Sequence, residues 1–159
     1  MIKGFINEML GKFIFLEGLD KTGKTTLARR CRFEADPRHP ALIFDRGFVG
    51  REMFWHFNHE VEFPIEYWSR SEMNLHKMGM YAIVWLRCDP ETIINRHVAV
   101  SENPPLHQTM REQEGYYERL MELRRRVGMP ILETWTDRQS EDETVKEILE
   151  WAGFKWRKP

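Results

Sequence analysis

The run GLDKTGKT, from Gly18 to Thr25, constrains this chain more than any other feature. It matches the pattern G-x-x-x-x-G-K-[ST] and sits where that pattern works. Before it comes KFIFLE (Lys12 to Glu17), a nearly continuous apolar run of the kind buried on both faces of a parallel sheet; after it, Lys24 to Phe33 reads as a helix facing inward through Leu27, Ala28 and Cys31. Gly18 and Gly23 let the backbone curl until its N–H groups point at phosphate oxygens, and the helix N-terminus adds partial positive charge. On that geometry Lys24 reaches the β- and γ-phosphates of ATP, the Thr25 hydroxyl ligates Mg²⁺ and Thr26 assists at the α-phosphate. Asp20, Lys21 and Thr22 complete the expected nucleotide-binding segment.

Apolar runs and helical stripes alternate along the rest of the chain. Ala41 to Phe44 reads as a second strand ending on Asp45-Arg46-Gly47, and functional side chains of open parallel sheets gather at such strand ends. Tyr81 to Arg87 reads as a third, followed by Asp89 as N-cap and Pro90 as first helical residue. That helix extends to about His97 and gives way to the turn-rich Ser101 to Pro105. A helix from Glu112 to Val127 carries Tyr116, Leu120, Leu123 and Val127 as its apolar stripe, and Asp36-Pro37 stops the first helix. Pro130 to Glu133 reads as a fourth strand, and Ser140 with Glu143 makes a capping box for a last helix facing inward through Val145, Ile148, Leu149 and Ala152. Met1 to Leu10 also shows helical spacing. Strands alternating with helices, without hairpin signals, predict an α/β, three-layer P-loop NTPase fold with a small parallel sheet of about four strands flanked by helices. The whole chain, 1–159, is expected to form one domain, with a lid over about 97–110 and an acceptor-side helical region over about 48–79 that breaks near Pro64.

Of the 159 residues, 42% are hydrophobic and 31% charged, with a formal charge of −1. This balance excludes collagen-like, disordered and membrane-spanning chains and gives no global positive field for nucleic acid. Cys31 and Cys88 fall in segments that read as buried regular structure, which points to the cytoplasm, and the first ten residues lack the pattern of a secretion signal. His56 and His59, with Glu60 nearby, have a metal-ligand spacing but no third or fourth ligand. The aromatics Phe48, Phe54, Trp55, Phe57, Tyr67 and Trp68 read first as core and second as a stacking platform, in a region where an acceptor must enter. Arg124 to Arg126 read as solvated charge.

FIFLEGLDKTGKTTLARR resembles the opening of thymidylate kinases, a strand followed by E-G-x-D-x-x-G-K-T-T. IFDRG (Ile43 to Gly47) resembles that family's strand ending in Asp-Arg, and LRCDPETIINR (Leu86 to Arg96) its segment leading into the lid. The resemblance implies Asp45 near Mg²⁺ or the acceptor, Arg46 clamping an acceptor phosphate, Arg96 facing the ATP phosphates, and Asp20 near the acceptor's sugar hydroxyl. Lys21 stands where one branch of the family has Arg and lacks a catalytic Arg within its lid; this lid, HVAVSENPP, has no second Arg either. The chain departs from the family between Lys24 and Asp45, an interval too short for the strand and helices that hold the nucleoside monophosphate in thymidylate kinases.

The expected chemistry is phosphoryl transfer by Lys24, Asp45, Arg46, Lys21 and Arg96, with ATP as donor and Mg²⁺ held by Thr25 and Asp45. A deoxynucleotide or nucleoside is the leading acceptor. The alternatives are DNA, through a base substituent such as 5-hydroxymethyluracil in viral DNA or through a polynucleotide end, and, in another class, an NTP-driven switch with no small acceptor. No membrane partner is expected, and the family resemblance allows a homodimer.

Overall fold

The computed structural model describes residues 13–35, 42–58 and 65–157. The expected N-terminal helix, the Asp36-Pro37 stop, Pro64 and the His59–Glu60 pair lie outside them. Strands β1 (Phe13–Glu17), β2 (Leu42–Asp45), β3 (Tyr81–Arg87) and β4 (Ile131–Trp135) form one parallel sheet in the order β2-β1-β3-β4. The helices among the described residues are α1 (Lys24–Glu34), α2 (Phe48–Asn58), α3 (Ile65–Lys77), α4 (Pro90–Ala99), α5 (His107–Arg126) and α6 (Glu141–Trp151).

Successive side chains of a strand point to opposite faces, and in β1 and β3 both faces are apolar, so each needs a covering layer. Ile14, Leu16, Ile43, Ala82, Val84 and Leu86 pack against Leu27, Ala28 and Cys31 of α1 and Val145, Ile148 and Leu149 of α6. Phe15, Tyr81, Ile83 and Trp85 pack against Phe48 and Val49 of α2, Ile93 of α4 and Tyr117, Leu120 and Met121 of α5. The result is the expected three-layer α/β P-loop fold.

The topology also locates the site. β2 lies on one side of β1 and β3 on the other, so successive connections run in opposite directions from β1. Ligands of open α/β sheets bind in the crevice at such a switch point, beyond the carboxyl ends of the strands. The loop from Gly18 to Gly23 opens over this crevice. Gly18 has φ 145°, and a Cβ there would lie 2.3 Å from the Leu86 carbonyl oxygen, so only glycine lets the loop leave β1 across the end of β3.

Some elements differ from the sequence-based expectation. The α5 helix starts at His107, and its buried face is Met110, Tyr117, Leu120, Met121 and Arg124, while Leu123 and Val127 are exposed. Arg124, read as solvated, is buried and pairs inward. Its Nε and Nη2 donate to the Glu72 carboxylate at 2.7 and 2.8 Å, and Nη2 also reaches Glu52 at 3.1 Å. The Tyr81 hydroxyl donates to the same Glu72 at 2.6 Å, so one buried carboxylate joins α3, α5 and β3. Asp89 takes the N-cap position of α4 without a side-chain bond; Asp137 Oδ2 instead accepts the Asp89 N–H at 2.8 Å. The capping box of α6 is formed as expected, with Glu143 N–H donating to Ser140 Oγ and Ser140 N–H to the Glu143 carboxylate. Cys31 and Cys88 are buried free thiols. No helix among the described residues is long and apolar enough to cross a membrane.

Candidate active site

The loop after β1 and the end of β2 build the site together. Lys24, at the start of α1, is buried and folds back over the loop, its Nζ donating to the carbonyls of Gly18 at 2.9 Å and Leu19 at 2.5 Å. The Thr22 hydroxyl donates to the Leu19 carbonyl at 2.8 Å and closes the same turn. Burial pushes the Lys24 ammonium down to about 8, against the pull of the Asp20 carboxylate.

The parallel register pairs Leu16 with Asp45 and so brings the end of β2 level with the loop. There the Thr25 hydroxyl donates to Asp45 Oδ2, while Asp45 Oδ1 is buried with no partner. A hydroxyl beside a carboxylate with a free oxygen is a hard oxygen donor set, which suits Mg²⁺, an ion that takes few protein ligands and keeps water and phosphate oxygens. The residues present therefore fit the metal. No cluster of three or more His, Cys, Asp or Glu able to hold a metal occurs among the described residues.

Lys21, Arg46 and Ser101 have φ of 62°, 74° and 58°, the left-handed region that non-glycine residues enter at a cost of about 1 kcal/mol or more. The strain coincides with the cleft: Lys21 and Arg46 line it, and Ser101 adjoins Glu102, which also does. Arg46 N–H donates to the Leu16 carbonyl at 3.0 Å, and its Nη2 donates to Asp20 Oδ1 at 2.5 Å. The Lys21 ammonium reaches Glu102 at 2.9 Å, on the segment between α4 and α5. Arg96 Nη1 donates to the Lys21 carbonyl at 2.6 Å; it buttresses the loop from α4 and does not border the cavities described next.

Two cavities adjoin here. One, of about 500 Å³, is lined by Lys21, Gly23, Lys24, Thr25, Thr26 and Asp45. The other, of about 370 Å³, is walled by Met53, Phe54, Phe57, Ile93, Met110 and Tyr117, with Asn103 and Gln113 as polar points. Asp20, Arg46 and His97 line both. Apolar walls with a few placed polar groups are the usual make-up of a small-molecule pocket. The aromatic set divides accordingly. Phe48 is core, Trp68 packs on it at 5.6 Å, Tyr67 is exposed, and Phe54 and Phe57 face the second cavity.

Glu17 escaped the sequence reading. It is fully buried, and its two oxygens accept the N–H groups of Gly47 at 2.9 Å and Gly50 at 2.8 Å. Complete burial pushes this carboxyl up to about 7 despite those two donors and Lys24. It ties the end of β1 to the turn that carries Asp45 and Arg46 and to the first turn of α2. A Cβ on Gly50 would lie 2.6 Å from Glu17 Oε2, so the carboxylate needs a glycine there. A charged residue closing an apolar strand was the available signal. His97 had none, being a lone histidine near a helix end.

The sheet order and the loop over its switch point define an α/β fold of the P-loop type. No family model matches the chain, and no curated protein does. Among solved structures, the YorR protein from Bacillus subtilis, solved in complex with phosphorylated GDP, superposes with a TM-score of 0.69. The two are 17% identical, and the match covers 89% of this chain and 96% of that one, which shows a shared fold.

Proposed function

We propose that this chain is an ATP-dependent phosphotransferase that moves the γ-phosphoryl group from Mg²⁺-bound ATP onto an oxygen of a deoxynucleotide or nucleoside-type acceptor. The observation that carries this reading is the junction of the two cavities, where Asp20, Arg46 and His97 line both. A triphosphate gripped by the loop ends there, and an acceptor oxygen entering from the apolar side meets it.

In-line transfer asks the protein to position two substrates and to balance charge spread over the moving group. Lys24 and the loop N–H groups hold the donor, Lys21 and Arg46 supply further positive charge, and Thr25 and Asp45 hold the metal. Mg²⁺ bound there would neutralise charge on the β- and γ-oxygens. Phe54, Phe57 and Met53 offer flat and adaptable apolar surface for a base. The complex of YorR with phosphorylated GDP lends the same fold to nucleotide chemistry.

The test is transfer from γ-labelled ATP to deoxynucleosides, deoxynucleoside monophosphates and DNA carrying 5-hydroxymethyluracil. Mg²⁺-dependent labelling of one of these, lowered by about 10³-fold or more in Lys24→Ala, is expected. ATP turnover indifferent to every acceptor but raised by a protein partner would instead identify an NTP-driven switch.

A further inference from the structure

His97, in the last turn of α4, is 9% exposed and borders both cavities. Its Nδ1 lies 3.2 Å from Glu102 Oε2, and the same oxygen lies 2.9 Å from the Lys21 ammonium. The Lys21 ammonium and the His97 ring hold the Glu102 carboxyl below its usual range, so it stands as an anion. A carboxylate anion only accepts hydrogen bonds. A hydrogen on Nδ1 satisfies that carboxylate, and in the tautomer so defined the ring lone pair lies at Nε2. That Nε2 is buried and has no partner.

The acceptor cavity favours one kind of nucleophile. A phosphate acceptor brings negative charge, yet among the described residues lining this cavity Arg46 alone is a fixed cation, and its guanidinium is already paired with Asp20 at 2.5 Å. A hydroxyl brings no charge and must lose a proton. We propose, resting on the phosphotransferase reading above, that the acceptor is a hydroxyl compound and that His97 Nε2 accepts the proton of its nucleophilic oxygen.

In the step so defined, the acceptor O–H bond breaks and its proton goes to Nε2. The oxygen forms a bond to the γ-phosphorus, the bond from that phosphorus to the bridging oxygen of the β-phosphate breaks, and the electron pair leaves on ADP. The imidazolium formed is stabilised by Glu102, which the Lys21 ammonium keeps in place. His97 is then the general base, and Asp45 serves the metal.

The experiment compares wild type with His97→Gln, which keeps an acceptor atom near the Nε2 position but cannot take up the proton. Both are given ATP with deoxynucleosides, deoxynucleoside monophosphates or an oligonucleotide carrying 5-hydroxymethyluracil, and the product is read by phosphorus NMR. The expected wild-type product is a phosphate monoester formed on a hydroxyl, with kcat lowered about 10²- to 10⁴-fold in His97→Gln and KM for ATP changed by less than about twofold. Should His97→Gln fail to fold, Glu102→Gln, at an exposed position, is expected to lower kcat in the same direction by about tenfold. An anhydride product on a monophosphate, or an unchanged kcat in the folded variants, overturns the proposal and leaves the phosphotransferase reading standing. A wild-type protein that labels none of these acceptors overturns both.

Discussion

The Thr25 hydroxyl donates to Asp45 Oδ2 while Asp45 Oδ1, buried beside it, has no partner. A residue in the first turn of α1 and one at the end of β2 thus present oxygens at one point beside the Gly18–Gly23 loop. Asp45→Asn replaces the carboxylate by a neutral amide. Loss of a group that merely orients a metal ligand weakens such a site by about 10–100-fold, so this variant should require at least that much more Mg²⁺ for half-maximal transfer. An unchanged Mg²⁺ dependence would remove Asp45 from the metal site.

Lys24 is expected to report the arrival of phosphate through its proton. In the free protein its ammonium is pushed down to about 8, and phosphate oxygens favour the charged form, raising it again. At pH 8 about half of the molecules must therefore take up a proton on binding Mg²⁺-ATP, and at pH 6 almost none, since Lys24 is already charged. Calorimetry in buffers of different ionisation enthalpy measures this uptake. Equal uptake at both pH values would show that Lys24 does not face the phosphates.

Glu17 should make stability fall as pH rises. Its folded value of about 7 lies above the ordinary 4.5. Between the two, the folded chain holds a proton that the unfolded chain has lost, so stability declines across this window, by up to about 3 kcal/mol, and is level above it. Glu17→Gln cannot titrate and turns an amide donor toward a glycine N–H, at a cost of about 1–3 kcal/mol. Denaturant unfolding should show wild type ahead of Glu17→Gln at pH 4.5 and the gap narrowing by pH 7.5. A gap independent of pH would mean that Glu17 stays ionised throughout.

Glu72→Ala should destabilise the fold by about 3–5 kcal/mol, because it takes the bidentate carboxylate from the buried Arg124, leaving it the Glu52 carboxylate at 3.1 Å and the Leu120 carbonyl at 3.2 Å, and strands the Tyr81 hydroxyl. Urea unfolding measures the loss. A change below about 1 kcal/mol would mean that water reaches the network and replaces the carboxylate.

The phosphate loop, the strand and helix beside it and the capping box of α6 were legible in the sequence because each rests on neighbouring residues. The apolar runs at β1 and β3 were legible because a strand buried on both faces has no polar alternation. The phase of α5 was not, because Leu123 and Met121 both continue a helical stripe from Leu120 or Tyr117. Arg124 decides between them by pairing with Glu72, 52 residues earlier. The Lys21–Glu102–His97 link depends on the loop, α4 and the segment after it meeting, which no local pattern encodes. The candidate loop residues fell together at one cleft, whereas Arg96 came to lie behind the loop, on the Lys21 carbonyl.

Titration of Mg²⁺-ATP into the wild-type protein and into Lys24→Ala is the most direct test of a triphosphate seated on the Gly18–Thr26 loop. Wild type is expected to bind saturably and one-to-one, and the variant with affinity about 10- to 100-fold weaker, the worth of hydrogen bonds from a charged donor. No binding by wild type, or equal affinity in the two proteins, would contradict it.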